Sequence, residues 1–238
     1  MAIDTALLER ADRLGETWLR LYQWKPYCLS FGRHEPATRR YDVERIEALG
    51  LDTVRRPTGG RAVWHARELT YAVAAPWLYF GSLQAAYLEI HRMIADGLSR
   101  LGARVSLAPP GRTAPLNAGA CFAQPAGGEV MLGERKIVGS AQYRPGSALL
   151  QHGSVLLEDD QQMVLAVTRG RVDPGHSVPL SDLLGRELER TEIVGSIARA
   201  AALRWPGEWI PTSSADQVME EASPHYPHYR SEAWTWVR

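Results

Sequence analysis

Residues 54–73, VRRPTGGRAVWHARELTYAV, constrain this chain more than any other stretch. Thr58, Gly59 and Gly60 fall between two apolar runs, a pattern that predicts strand, tight glycine turn, strand. Paired glycines allow positive φ and let a ligand approach the main chain with no Cβ in the way. Arg55, Arg56 and Arg61 bracket the turn with fixed charge and forked donors suited to phosphate or carboxylate. His65 and Tyr71 follow on the return strands. A Gly-Gly pair alone describes a surface hairpin with solvated arginines equally well. The motif gains meaning only beside a second segment, 119–157.

With 238 residues, no internal repeat and no linker-like tract, the chain reads as one domain, 1–238, with enough length for a sizeable core. Formal net charge is +0, which gives no electrostatic case for nucleic acid or an anionic membrane as partner. No apolar run approaches the roughly 18 residues of a membrane helix, and no signal-peptide pattern opens the chain. Cys28 and Cys121 are the only cysteines, too few for a disulfide framework, so a reduced cytoplasmic setting is expected. Of 27 lysines and arginines, only Lys25 and Lys136 are lysine. A lysine can lose its proton when desolvated, whereas arginine practically cannot.

Hydrophobic spacing predicts helices over 1–14, 41–49, 83–101, 161–168, 181–188 and 191–203, with Ser181 and Thr191 as N-caps. Strands are expected over 18–24, 27–31, 129–132, 136–143 and 149–157, besides those flanking the glycine turn. Arg144-Pro145-Gly146-Ser147 has the residues of a type II turn. The Pro/Gly-rich stretch 108–119 is a loop leading to Cys121, and the tryptophan-rich tail beyond Pro206 is expected to pack back on the domain. His91, inside the 83–101 helix, and Cys28, on a strand, are taken as structural residues.

The chemistry-bearing candidates are Cys121, Lys136 and His152. The seven histidines show no metal-ligand spacing, and neither a nucleophile elbow nor a P-loop is present. A thiolate beside fixed positive charge is a strong nucleophile at neutral pH, and Lys136 could supply that charge and then stabilise an oxyanion. Cys121 could equally be a buried core thiol, and spacing alone leaves both readings open. Gly139 and Ser140, on the same strand as Lys136, leave room for a slender chain against the backbone.

Together, RRPTGGRAVWH…ELTYAV and ACF…GERKIVGSAQ…LQHGSVLLE resemble the lipoate/octanoate attachment enzymes, relatives of lipoate–protein and biotin protein ligases, and within them the cysteine-dependent octanoyl-carrier-protein:protein N-octanoyltransferases. The resemblance runs from Met1 to the end of the chain. It implies an α/β (α+β) fold, a mixed, largely antiparallel sheet flanked by helices, as in biotin/lipoate ligase catalytic domains. It further implies that Cys121 takes an octanoyl group from acyl carrier protein and that a lysine of a lipoyl domain displaces it as an amide. The acceptors implied are the glycine-cleavage H protein and dehydrogenase E2. Lys136 would position and polarise the acyl carbonyl, and the Gly59-Gly60 turn would line an acyl tunnel with His65 and His152 in its wall. No cofactor is implied for transfer.

Three departures qualify the resemblance. The family has a strand before the helix at which this chain begins, and His65-Ala66 stands where His-Asp is common. The additional C-terminal domain of ligase relatives has no counterpart here, which favours transferase. An ATP- and magnesium-dependent lipoate–protein ligase, using the arginines for phosphate, is the alternative enzyme. A non-catalytic binder of acylated carrier domains is the alternative outside enzymes.

Overall fold

In the computed structural model, residues 1–109, 127–133, 135–158, 161–170, 179–212 and 216–237 are described. Among them the strands are β1 (Trp18–Tyr22), β2 (Cys28–Phe31), β3 (Asp52–Arg55), β4 (Val63–His65), β5 (Glu68–Pro76), β6 (Ser106–Leu107), β7 (Val130–Leu132), β8 (Arg135–Lys136), β9 (Val138–Tyr143) and β10 (Ala148–Leu156). The helices are α1 (Ala2–Leu14), α2 (Ala37–Arg40), α3 (Val43–Ala48), α4 (Leu83–Arg100), α5 (Gln162–Val167), α6 (Leu180–Leu184), α7 (Arg190–Arg204), α8 (Asp216–Ala222), α9 (Tyr226–Arg230) and α10 (Glu232–Thr235). No helix among the described residues is long and apolar enough to cross a membrane.

The strand after the glycine segment becomes the centre of the molecule because both of its faces are apolar. Leu69, Tyr71, Val73 and Ala75 of β5 point into a core shared with α4 and α7, while Ala72 and Ala74 point into one shared with α1. The period-two alternation of a strand sorts them. Strand β5 lies between β1 and β10, and β9 completes an antiparallel sheet of order β1-β5-β10-β9. The apolar stripe of α4 (Ala86, Ile90, Met93, Ile94, Leu98) covers one face. Gly97 allows α7 to close on it, since a Cβ there would fall 2.9 Å from the Ile197 side chain.

The expected mixed, largely antiparallel architecture is present, divided into three sheets. The segment around the glycines is not the tight hairpin that the sequence suggests. Strands β3 and β4 do not pair with each other; both pair with β2, the first in parallel and the second antiparallel. The intervening residues therefore cross the end of β2, docked by Arg56 N–H to the Phe31 carbonyl (2.8 Å) and Arg33 N–H to the Thr58 carbonyl (2.8 Å). Gly60 alone of the pair has positive φ, 91°. Its carbonyl rests on Gly32, where any Cβ would lie 1.8 Å from that oxygen.

Two further expectations are corrected. The single strand 136–143 is broken at Ile137, whose N–H bonds Val130 and whose carbonyl accepts from Leu156, so the chain passes there from the β6-β7-β8 sheet to the main one. Ser181 and Thr191 are not N-caps: α6 and α7 start after Pro179 and Glu189 with no side-chain cap bond. The Ser181 N–H is instead held by the Leu157 carbonyl, which docks α6 on the end of β10. The tryptophan-rich tail does fold back, with Trp236 against Phe31.

Candidate active site

A slot opens between the main sheet and the loop over β2. Six residues singled out in the sequence line it: Arg56, Gly60, His65, Gly139, Ser140 and His152. Aromatic and apolar groups of Tyr22, Trp24 and Val63 add to the wall, which Met1, Thr70 and Ser154 also line. Gly60 faces the Ala141 methyl across the gap, and a Cβ on Gly60 would lie 4.0 Å from it. Such a lining suits an aliphatic chain with a few polar groups near its ends.

Each slot histidine joins a carboxylate to a hydroxyl. His152 on β10 places Nδ1 3.4 Å from Asp4 Oδ2 and Nε2 2.6 Å from Thr58 Oγ1. Burial alone would raise the Asp4 carboxyl, but the amino terminus, Arg20 and His152 overcome it and hold the group well below the usual carboxylate range. Burial lowers the His152 pKa, and the Asp4 contact offsets this only in part. The ring is therefore neutral, its Nδ1–H donating to Asp4 and its Nε2 accepting from Thr58. His65 on β4 places Nε2 2.6 Å from Ser30 Oγ and Nδ1 3.1 Å from Glu68 Oε1. Glu68 also accepts from Thr70, whose hydroxyl accepts the Trp24 indole N–H at 2.9 Å.

The adjacent arginines have different fates. Arg56 donates through Nη1 to Ser30 Oγ (2.5 Å) and through Nη2 to the Gly59 (3.2 Å) and Arg61 (2.7 Å) carbonyls, and so braces the loop from inside. Arg55 is fully buried and does not meet the slot. Its guanidinium donates to the carbonyls of Gly32 (2.6 Å), Glu35 (2.8 Å), Trp234 (2.8 Å) and Thr235 (2.9 Å). The phosphate or carboxylate suggested for Arg55 is thus replaced by main-chain oxygens, and this arginine fastens the tail to the loop. Thr58, Gly59 and Arg61 act through the loop and do not line the slot.

Lys136 is buried, and its Nζ lies 2.6 Å from Glu129 Oε1, also buried. The sequence offered no sign of this carboxylate beyond its place at a strand start. Beside it, His91 of α4 donates from Nδ1 to the Gly128 carbonyl (2.7 Å), which leaves Nε2 to accept from Ser140 Oγ at 2.8 Å. Burial, reinforced by the nearby Lys136 charge against the Gly128 bond, brings the His91 pKa down to about 4, so the ring is neutral. Ser140 in turn accepts from Tyr71 at 2.6 Å. Its hydroxyl is thus engaged on the α4 face of the sheet, while Gly139 supplies the bare backbone toward the slot. A Cβ on Gly153 would fall 2.6 Å from Ser140 Oγ, so that glycine keeps the room this bond needs. His91 is therefore more than a packed helix residue; only its burial was readable from the spacing.

Cys121 lies outside the described residues, so its place relative to Lys136 rests on sequence. Cys28 is core, as expected, with burial pushing its thiol up to about 12.

The lipoyl protein ligase A/B catalytic domain is matched by residues 1–202. The octanoyltransferase LipM of Kyrpidia tusciae is 35% identical over 257 residues, spanning 99% of this chain and 93% of that one. LipM of Moorella thermoacetica is 37% identical over 227 residues, 89% of this chain and 83% of the relative. Among solved structures, a lipoate-protein ligase A bound with ATP superposes with a TM-score of 0.84 at 20% identity, covering 99% of this chain and 92% of that one. The bipartite lipoate protein ligase of Thermoplasma acidophilum gives 0.75 at 19% identity, covering 100% and 92%. The structural likenesses establish a shared fold, and the sequence match spans it almost from end to end. The chain belongs to the lipoyl protein ligase A/B catalytic domain family.

Proposed function

We infer that the chain is an octanoyltransferase that acts in protein lipoylation. The observation that carries this is the near full-length similarity to octanoyltransferases of the LipM type. The narrow apolar-walled slot and the buried Lys136–Glu129 pair support it. The donor is octanoyl-acyl carrier protein and the acceptor a lysine of a lipoyl domain, such as the glycine-cleavage H protein or a dehydrogenase E2, in the cytoplasm.

In the first exchange the Cys121 thiol gives up its proton and attacks the donor thioester carbonyl; a C–S bond to Cys121 forms, the C–S bond to the carrier breaks, and the carrier thiol leaves with that proton. In the second, the neutral ε-amine of the acceptor attacks the acyl-enzyme. A C–N bond forms, the C–S bond to Cys121 breaks, and the nitrogen's proton returns to sulfur. Lys136 is held as an ammonium by Glu129, donates to the acyl oxygen and stabilises the oxyanion of both tetrahedral intermediates. Each exchange conserves one acyl bond, so neither a nucleotide nor a metal is required by its balance.

The test is to mix the protein with octanoyl-acyl carrier protein and measure its mass. An octanoyl adduct on Cys121, absent from Cys121→Ala and discharged by a lipoyl domain, is the expected result. Labelling of the lipoyl domain that needs ATP and free octanoate or lipoate, with no adduct, would assign the chain to the ligases instead.

A further inference from the structure

The two slot histidines belong to relays of the same polarity. In one, the Thr58 hydroxyl donates to His152 Nε2 and His152 Nδ1–H faces the Asp4 carboxylate. In the other, Ser30 Oγ accepts from Arg56 and lies 2.6 Å from His65 Nε2, a far shorter approach than to its other acceptor, the Val63 carbonyl at 3.5 Å, so its proton is directed at the ring. His65 Nδ1–H then faces Glu68 at 3.1 Å. Both hydroxyls are fully buried. Both relays end on the same loop, one directly at Thr58 and the other through Arg56, whose second nitrogen holds the Gly59 and Arg61 carbonyls. A third support is Gly32, on which the Gly60 carbonyl rests. The loop is therefore fixed from α1, from β5 and from β2, and its Gly60 stands about one methyl group from the Ala141 wall.

We propose that His65 and His152 are positioning residues whose carboxylate–imidazole–hydroxyl relays set the height of the 56–61 loop, and through it the length of aliphatic acyl chain that the slot admits. The proposal rests on the slot being the acyl site. With every ring nitrogen committed, neither imidazole has a lone pair or a proton to offer to reacting atoms. The relays act on shape: a loop released from its seat lets the slot deepen, and longer chains gain most from that.

The test uses the full chain and the variants Thr58→Val, Glu68→Leu and Glu68→Gln. Valine matches threonine in shape and lacks the donor, whereas glutamine still offers an oxygen to His65 Nδ1–H. Hexanoyl, octanoyl, decanoyl and dodecanoyl carrier-protein thioesters are offered in turn, and the rate of acyl-enzyme formation is read by mass. Thr58→Val and Glu68→Leu are expected to shift the decanoyl-to-octanoyl ratio upward by about tenfold, the effect of one lost hydrogen bond. Glu68→Gln restores the parental ratio. Rates that fall equally for every chain length, or a Glu68→Gln protein that behaves like Glu68→Leu, would overturn the proposal. A parallel thermal-shift series with the free fatty acids reads the slot without any transfer. A length preference that moves there, in a protein forming no thioester, would sink the transfer reading and uphold this one. An unmoved preference in both series sinks this one.

Discussion

The β3-β2-β4 sheet and the β6-β7-β8 sheet each bury a cation, and they surround it in opposite ways. Arg55 is surrounded by main-chain carbonyls from the 32–35 segment and the tail, neutral dipoles supplied by backbone that has to be there anyway. Lys136, on the two-residue β8, is paired with the carboxylate of Glu129, which stands just before β7. Dipoles spread over two segments tie the chain together and engage all three guanidinium nitrogens, so none is turned to a ligand. The ion pair keeps an ammonium in a low-dielectric place, where, on the proposed mechanism, it acts strongly on a developing charge. The first arrangement builds shape and the second, on the proposed mechanism, builds reactivity.

If that contrast holds, Lys136→Ala has the largest effect on activity. Octanoyl transfer should drop by roughly a thousandfold, the scale of removing an oxyanion donor. Glu129, deprived of the ammonium, should also lower unfolding stability by about 3–5 kcal/mol. Adding Glu129→Ala should recover much of the stability in urea titrations and none of the transfer. A double variant as active as the parent would break the contrast. Arg55→Met is the converse: stability falls by about 3 kcal/mol as several buried carbonyls lose their donor, and transfer per folded molecule falls far less than with Lys136→Ala. An Arg55→Met protein with parental stability would show that the tail needs no fastening.

Gly32→Ala tests the seat of the loop. The new Cβ meets the Gly60 carbonyl 1.8 Å away, and the forced shift should cost about 1–3 kcal/mol in a chemical melt. pH sharpens the picture on the β6-β7-β8 side. The unfolded chain protonates His91 below its ordinary 6.5, the folded chain only below about 4. Stability should therefore fall as pH is lowered through that window, by about 2 kcal/mol between about pH 7 and about pH 5, with His152 adding in the same direction. A His91→Gln protein should lose most of this slope. The smallest effect is expected at the exposed Arg186–Glu192 pair, where Glu192→Ala should leave the melting midpoint unchanged.

Local pattern made much of the fold legible. The apolar stripe of α4 and the alternation of β5 carry their own period, and the segment motifs contain the slot-lining residues Arg56, Gly60, His65, Gly139, Ser140 and His152. What the sequence did not disclose are facts of long-range pairing. That β3 and β4 flank β2 depends on a parallel contact that no turn signal encodes, so the glycine segment looked like a hairpin. An arginine looks the same in sequence whether its donors meet a phosphate or main-chain carbonyls, so the motif alone presents Arg55 as a ligand for substrate. Asp4, Glu68 and Glu129 carry no motif; each matters because tertiary packing brings it to a histidine or a lysine. Ser181 and Thr191 have the chemistry of caps, but docking of α6 and an earlier start of α7 took precedence.

The burial of Lys136 has one more consequence. An enzyme that passes acyl groups to ε-amines carries a hazard in its own amines. Here the side-chain amines are only two. One is enclosed and paired with Glu129 as an ammonium, which has no lone pair with which to attack a carbonyl. The other, Lys25, stands exposed beside Pro26, and it is the one side-chain amine at which self-labelling would leave a mark.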